Sequence, residues 1–213
     1  MKVAFINGSP KTKKSSSEKL IMALIGRLKG VSEYAVCDVT KQQPEEVLAA
    51  IKDADALVFV FPLYVDALPS RLVKFLEDAQ LEIAAASPGA KAYAVVNNGF
   101  YEARQNRIAI EIMKNFCRRA GLPWGRGMGV GAGAIIAGVE IGRGPLKNLA
   151  RALDVLTGNI INLETAEDCF VEPNYARFFY NYGGNVGWKR AAQKRGLNTR
   201  ELHQGFLYTE GRK

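Results

Sequence analysis

Apolar and polar positions follow two alternating periods along this chain. Lys2–Asn7, Tyr34–Val39, Ala56–Phe61 and Lys91–Val96 are apolar runs of strand length. Ala56–Phe61 has no polar position, as in a central parallel strand covered on both faces. Helical spacing fills the intervals. Leu20, Ile21, Leu24, Ile25 and Leu28 share one face of Glu18–Leu28, and Val47, Leu48 and Ile51 one face of Pro44–Ala54. Leu72, Val73, Leu76 and Ala79 follow Pro69, a residue suited to a first helical turn. Ala103–Ala120 reads as a long amphipathic helix stopped by Gly121, Trp124–Ala134 as a fifth strand and Leu146–Ile161 as a fifth helix.

Strands alternating with helices imply a parallel sheet with helices on both faces. Right-handed crossovers then leave few topologies. The expected fold class is a doubly wound, flavodoxin-like α/β domain with five parallel strands in the order 2-1-3-4-5, spanning residues 1–162. Residues 163–213 break the alternation. They hold Phe170, Tyr175, Phe178, Phe179, Tyr180 and Tyr182, a glycine-rich turn and a short helix near Trp188–Lys194. They read as a C-terminal extension packed on the same domain.

At 213 residues the chain is long enough for one such domain with a full core. No apolar run reaches the roughly 18 residues of a membrane span, and residues 1–8 run straight into strand pattern, so no signal peptide is expected. Cys37, Cys117 and Cys169 offer neither a zinc spacing nor a disulfide framework, so no metal site is expected and a reducing cytoplasm is the simplest compartment. His203 is the single histidine, which counts against histidine-based triads. The net charge of +8 is concentrated at the end, where Ala176–Lys213 carries eight basic residues against Glu201 and Glu210. A nucleic-acid surface and a solvated basic helix both fit that balance; no nucleic-acid motif accompanies it, so no nucleic-acid partner is expected.

The most informative stretch follows the first strand: Asn7-Gly8-Ser9-Pro10-Lys11, then Lys13, Lys14 and Ser15-Ser16-Ser17 at a helix start. Unpaired N–H groups at a helix N-terminus carry partial positive charge. Hydroxyls at Ser9, Ser15, Ser16 and Ser17 add donors, and the lysines add full charge, so the loop suits a phosphate. It lacks both the nucleoside-triphosphate P-loop spacing and the Gly-x-Gly-x-x-Gly turn, which leaves a monophosphate as the natural guest. The rival reading of the serines is a simple helix cap.

Ligands in open parallel sheets bind beyond the C-terminal strand ends where strand order reverses. Two further loops should meet the first there. Pro62-Leu63-Tyr64 through Pro69 follows strand three, and Asn97-Asn98-Gly99-Phe100 follows strand four. Tyr64 has a flat face, and amides with bare N–H groups can bond a ring edge. Asn97 and Asn98 can equally be turn formers, Tyr64 loop packing, and Phe100 and Tyr101 core or dimer contacts. A phosphate loop beside aromatic and amide loops suits a planar heterocycle on a phosphorylated arm, the shape of flavin mononucleotide.

Here the residues resemble the flavodoxin-like, FMN-dependent NAD(P)H oxidoreductases. The motifs are Asn7-Gly8-Ser9-Pro10-Lys11 with Ser15-Ser16-Ser17, Pro62-Leu63-Tyr64 with Leu68-Pro69 and Lys74-Phe75, Asn98-Gly99-Phe100, and Trp188-Lys189-Arg190 followed by Gly196-Leu197. The resemblance implies that Ser9, Ser15, Ser16 and Ser17 hold the FMN phosphate, with Lys11 adding charge. It implies that Pro62, Leu63 and Tyr64 line the ribityl chain and ring, and that Asn98, Gly99 and Phe100, beside Asn97, bond or cover the isoalloxazine. It also implies NAD(P)H as reductant and a small electron acceptor: a quinone, an azo or nitro compound, or free flavin. No side-chain acid or base is required, and no catalytic residue is nominated. A homodimer is expected, with the tail aromatics at its interface. The rival function is a flavodoxin-type electron carrier that binds redox partner proteins. Such carriers are small and acidic, and this chain is larger and basic.

The glycines at 125, 127, 129, 131 and 133 imitate a dinucleotide fingerprint over Gly129–Ala134, and Asp154 lies 20 residues further on. That fingerprint must open a helix directly. Ile135, Ile136, Gly138, Gly142, Gly144 and Pro145 follow instead, so a strand with one bare face, open to a helix or a flavin edge, is the expectation.

Overall fold

The computed structural model describes residues 1–11 and 15–199. Lys13 and Lys14 of the first loop, and His203, lie outside the described residues. The chain divides into two compact units, Met1–Asn174 and Tyr175–Lys213.

The first unit is built on one parallel sheet in the order β2-β1-β3-β4-β5-β6. Its strands are β1 (Lys2–Asn7), β2 (Glu33–Asp38), β3 (Ala56–Pro62), β4 (Lys91–Asn97), β5 (Trp124–Val130) and β6 (Cys169–Val171). The doubly wound order holds, but the count of five strands is corrected to six. Cys169-Phe170-Val171 pairs in parallel with Met128–Val130 at the sheet edge. Three residues are too few to display a period, so the sequence pattern by itself assigns them to the extension. β5 also stops at Val130, four residues before the expected end.

The helices are α1 (Ser16–Ile25), α2 (Pro44–Ile51), α3 (Ser70–Asp78), α4 (Gln80–Ala86), α5 (Arg107–Ala120), α6 (Gly133–Ile136) and α7 (Lys147–Ile161). Alternate side chains of each strand feed two cores. Ala4 and Ile6 of β1 join Phe59, Leu72, Ile83 and Met113 on one face. Val3 and Phe5 join Leu20, Leu24, Leu153 and Leu156 on the other. This period-two division is what a strand covered by helices on both faces requires.

The glycines of β5 are explained by protein neighbours. A Cβ at Gly125 would run into the ring of Tyr93, which is fully buried with its hydroxyl 2.8 Å from the Asn159 carbonyl. At Gly127 it would lie 2.6 Å from Ile110 of α5, and at Gly129 2.7 Å from Phe170 of β6. The bare face therefore admits a helix, a neighbouring strand and the 101–106 turn.

The second unit, taken by itself, holds α8 (Arg177–Lys194), 18 residues long where a short helix was expected. Among its described residues Ala192 is buried, while Phe178, Phe179, Tyr182 and Trp188 are exposed. Phe178 meets Phe179 edge to face at 5.7 Å and stacks on Tyr182 at 6.4 Å. Among the described residues no helix is long and apolar enough to cross a membrane.

Candidate functional site

Sheet register brings three loops to one edge. Asn7 ends β1 opposite Asp38 and Val60, and Pro62, Asn97 and Val130 are partners across β3, β4 and β5. Chain leaving these ends must turn over the C-terminal edge, where the strand order reverses at β1 and β3.

In the first loop, Asn7 Oδ1 accepts from the Ser9 N–H at 3.0 Å, while its amide nitrogen donates to Asp38 at 3.3 Å. Ser9 Oγ accepts from the Lys11 N–H, and Ser15 Oγ caps α1 by accepting from the Glu18 N–H at 3.0 Å. Both hydroxyls serve there as acceptors, so their protons are left to donate elsewhere. Among the described residues the N–H groups of Ser16 and Ser17, the first two of α1, have no acceptor. Lys11, in the same loop, is exposed. The loop thus combines two hydroxyl donors, two helix N–H groups at the positive dipole end and a cation. That donor set fits the phosphate of a mononucleotide.

The other two serine hydroxyls are committed to the fold. Ser16 Oγ donates to the Gly133 carbonyl at 2.9 Å, and the buried Ser17 Oγ accepts from Asn97 at 3.1 Å. Their side chains brace the loop, while their backbone faces it.

The second loop carries a feature that the sequence reading missed. Tyr64 and Ala67 exchange two hydrogen bonds of 3.0 Å around Val65 and Asp66, whose φ angles are +48° and +57°. This is the backbone pattern of a type I′ turn, usually signalled by Asn-Gly. A β-branched residue there is strained, and Val65 is 99% exposed. The turn leaves Tyr64 46% exposed. Leu63 points into the core, so its backbone is what reaches the edge; its N–H donates to the Asn97 carbonyl at 2.8 Å.

The third loop is held by its own asparagines. Asn97 donates to Ser17 Oγ and to the Phe61 carbonyl at 3.2 Å, joining β4, α1 and β3. Asn98 accepts from the Phe100 N–H at 2.9 Å and donates to the Glu102 carbonyl at 3.0 Å. Both are buried, so the structure uses these amides as braces. Gly99 is exposed, and Phe100, at 55% exposure, presents a planar face on the β4 side of the edge.

The glycine-rich segment after β5 is tied to the first and third loops, since the Gly133 carbonyl accepts from Ser16 Oγ and the Gly133 N–H donates to the Asn98 carbonyl. A one-turn helix, α6, does open at Gly133, contrary to the sequence expectation. The N–H groups of the turn that leads into it are already used: Gly131 donates to Val171, Ala132 to Phe100 and Gly133 to Asn98. A pyrophosphate finds no donors in those three, and the glycines of the segment are accounted for by close packing. Lys19, another residue the sequence did not single out, ties α1 to the last turn of α6 through the Ile136 and Ala137 carbonyls at 3.0 and 2.7 Å.

The fold agrees with comparison to known proteins. A family profile described as flavodoxin-like fold matches residues 1–107, and the chain belongs to that family. Comparison with curated proteins gives no match. Among solved structures, the chain is similar to an FMN-dependent NADH-azoreductase from Bacillus anthracis, in complex with FMN, at TM-score 0.57 and 13% identity over 76% of this chain and 100% of that one. It is similar to an NADH:FMN oxidoreductase in its apo form, at TM-score 0.61 and 17% identity over 78% and 91%. It is also similar to a flavodoxin from Streptococcus pneumonia, at TM-score 0.55 and 13% identity over 76% and 99%.

Proposed function

We propose that the protein is an FMN-dependent NAD(P)H oxidoreductase that passes electrons from a nicotinamide to a small acceptor: a quinone, an azo or nitro compound, or a flavin. The observation that carries this reading is the donor-lined β1–α1 loop on the same sheet edge as the exposed faces of Tyr64 and Phe100. The Ser9 and Ser15 hydroxyls, the Ser16 and Ser17 N–H groups and Lys11 hold the phosphate. Pro62, Leu63 and Tyr64 border the ribityl chain and one side of the ring, and Gly99 and Phe100 the other. Asn97 and Asn98 act by keeping these loops in place. FMN, when bound, supplies the redox chemistry, and the protein supplies position and electrostatics. The neighbours named as NADH-dependent FMN enzymes support the reading.

The flavodoxin among the neighbours favours a second reading, an electron carrier for protein partners. The net charge of +8 opposes it, since docking on a basic partner surface would be repulsive. One experiment separates the two. The purified protein is denatured, the released flavin identified by chromatography, and NAD(P)H oxidation by the flavin-loaded protein followed with a quinone. FMN with turnover supports the enzyme; FMN without turnover supports the carrier; FAD alone, or no flavin affinity, overturns the site.

A homodimer belongs to the same proposal. Four exposed aromatics on α8 are the composition of an interface centre and costly to leave in water.

A further inference from the structure

On the β2 side of the first loop lies a separate cavity of about 340 Å3. The β2–α2 connection contributes Thr40, Lys41 and Gln43, and α3 contributes Arg71, Lys74 and Asp78. Two of its three cations are neutralised: Lys41 pairs with Asp38 at 2.7 Å and Lys74 with Asp78 at 2.7 Å. Arg71 is exposed and, among the described residues, has neither an ion pair nor a hydrogen bond. The cavity therefore carries one uncompensated positive charge, on the side chain whose planar fork matches a phosphate. Arg71 is also the second residue of α3, a nine-residue helix whose N-cap, Pro69, makes no side-chain cap. Among the described residues the N–H groups of Ser70, Arg71 and Leu72 have no acceptor, so the positive end of that helix adds to the field.

This cavity adjoins the proposed flavin site. A Cβ at Gly8 would lie 2.8 Å from Leu72, so the first turn of α3 rests on the phosphate loop. The Val39 N–H donates to the Asn7 carbonyl, which ties the cavity's other wall to the same strand end. Tyr64 and Phe100 lie towards β4, the cavity towards β2. A dinucleotide with its nicotinamide at the ring carries its adenosine ribose at the far end of a pyrophosphate link, away from the ring.

We propose that Arg71, supported by the positive end of α3, forms a second phosphate subsite that takes the 2′-phosphate of NADPH and makes NADPH, rather than NADH, the reductant. The proposal rests on the oxidoreductase reading for the identity of the dinucleotide.

The test measures binding apart from turnover. Calorimetric titration of the flavin-loaded protein compares adenosine 2′,5′-bisphosphate with 5′-AMP. The bisphosphate binds at least 10-fold tighter, and Arg71→Ala removes that preference, since a hydrogen bond between charged groups accounts for about 10- to 100-fold in affinity. Arg71→Lys, which keeps the charge and loses the fork, restores part of it. In steady-state assays the ratio of kcat/KM for NADPH over NADH falls about 10-fold or more in Arg71→Ala. Equal binding of the two nucleotides, or a preference unchanged by Arg71→Ala, overturns the subsite even if NAD(P)H is oxidised. Displacement of the bisphosphate by equimolar inorganic phosphate overturns the NADPH assignment. A preference that depends on Arg71, in a protein that oxidises neither nucleotide, keeps the subsite and rejects the oxidoreductase reading instead.

Discussion

Asn97→Ala is the substitution that best separates bracing from ring contact. The Asn97 amide donates to Ser17 Oγ at 3.1 Å and to the Phe61 carbonyl at 3.2 Å, and residues 97 and 17 are 5% and 1% exposed. Truncation removes both donors and leaves two acceptors in a site with little access for water. A net loss of about 1–2 kcal/mol for each bond follows, or about 2–4 kcal/mol in all. With a urea slope of about 2–3 kcal/mol/M, the unfolding midpoint falls by about 1 M at unchanged slope. The assay is urea unfolding of the flavin-free protein, paired with FMN titration of the folded fraction. If Asn97 braces the loops, stability without flavin drops by this amount and FMN affinity drops as a consequence. A midpoint within about 0.2 M of wild type, with FMN affinity reduced 10-fold or more, would refute the bracing argument and make Asn97 a ring contact.

Ser15→Ala removes the α1 cap as well as a proposed phosphate donor, so it costs about 1 kcal/mol of stability and weakens FMN binding by about 10-fold or more; equilibrium unfolding and fluorescence titration read the two losses separately. Replacing Ser15, Ser16 and Ser17 together should damage the fold as much as the site, because all three hydroxyls are already bonded; a triple variant of wild-type stability would contradict that accounting. Burial lifts the Cys117 thiol from an ordinary 9.0 to about 12. Its folded value lies above its unfolded value, so stability is intact below pH 9 and declines as pH rises from 9 towards 12. The thiol's share is about 2 kcal/mol at pH 10.5. Unfolding curves from pH 8 to 10.5 should be flatter in Cys117→Ala, although the buried Tyr93 phenol, also raised by burial, keeps some of the decline. Sedimentation at micromolar concentration should give a dimer of the 23.3 kDa chain, and a monomer that still oxidises NAD(P)H would remove the interface assigned to α8.

Much of the fold is local information. Ala56–Phe61 is apolar at every position, and a strand so composed is stable only between two layers of helices. The serine and lysine loop after β1 was legible because a buried strand leading to a capped helix is a short-range pattern. Strand order was legible because crossover handedness leaves little choice. The rest depends on partners distant in the chain. Asn97 and Asn98 were legible as the end of the fourth strand, but whether an amide faces a ligand or a neighbouring loop depends on Ser17, 80 residues away, and on the folded path to Glu102. The glycines of β5 were conspicuous, yet their reason is the ring of Tyr93 and the side chains of Ile110 and Phe170, which only packing brings there. The three-residue β6 exists because β5 offers it an edge. Arg71 looked like any polar position on an amphipathic helix. The pairing of Lys41 with Asp38 and of Lys74 with Asp78 is what leaves it as the cavity's uncompensated charge. Composition and period are sums over neighbours in sequence, whereas the state of a polar group depends on what the tertiary fold sets within about 3 Å of it.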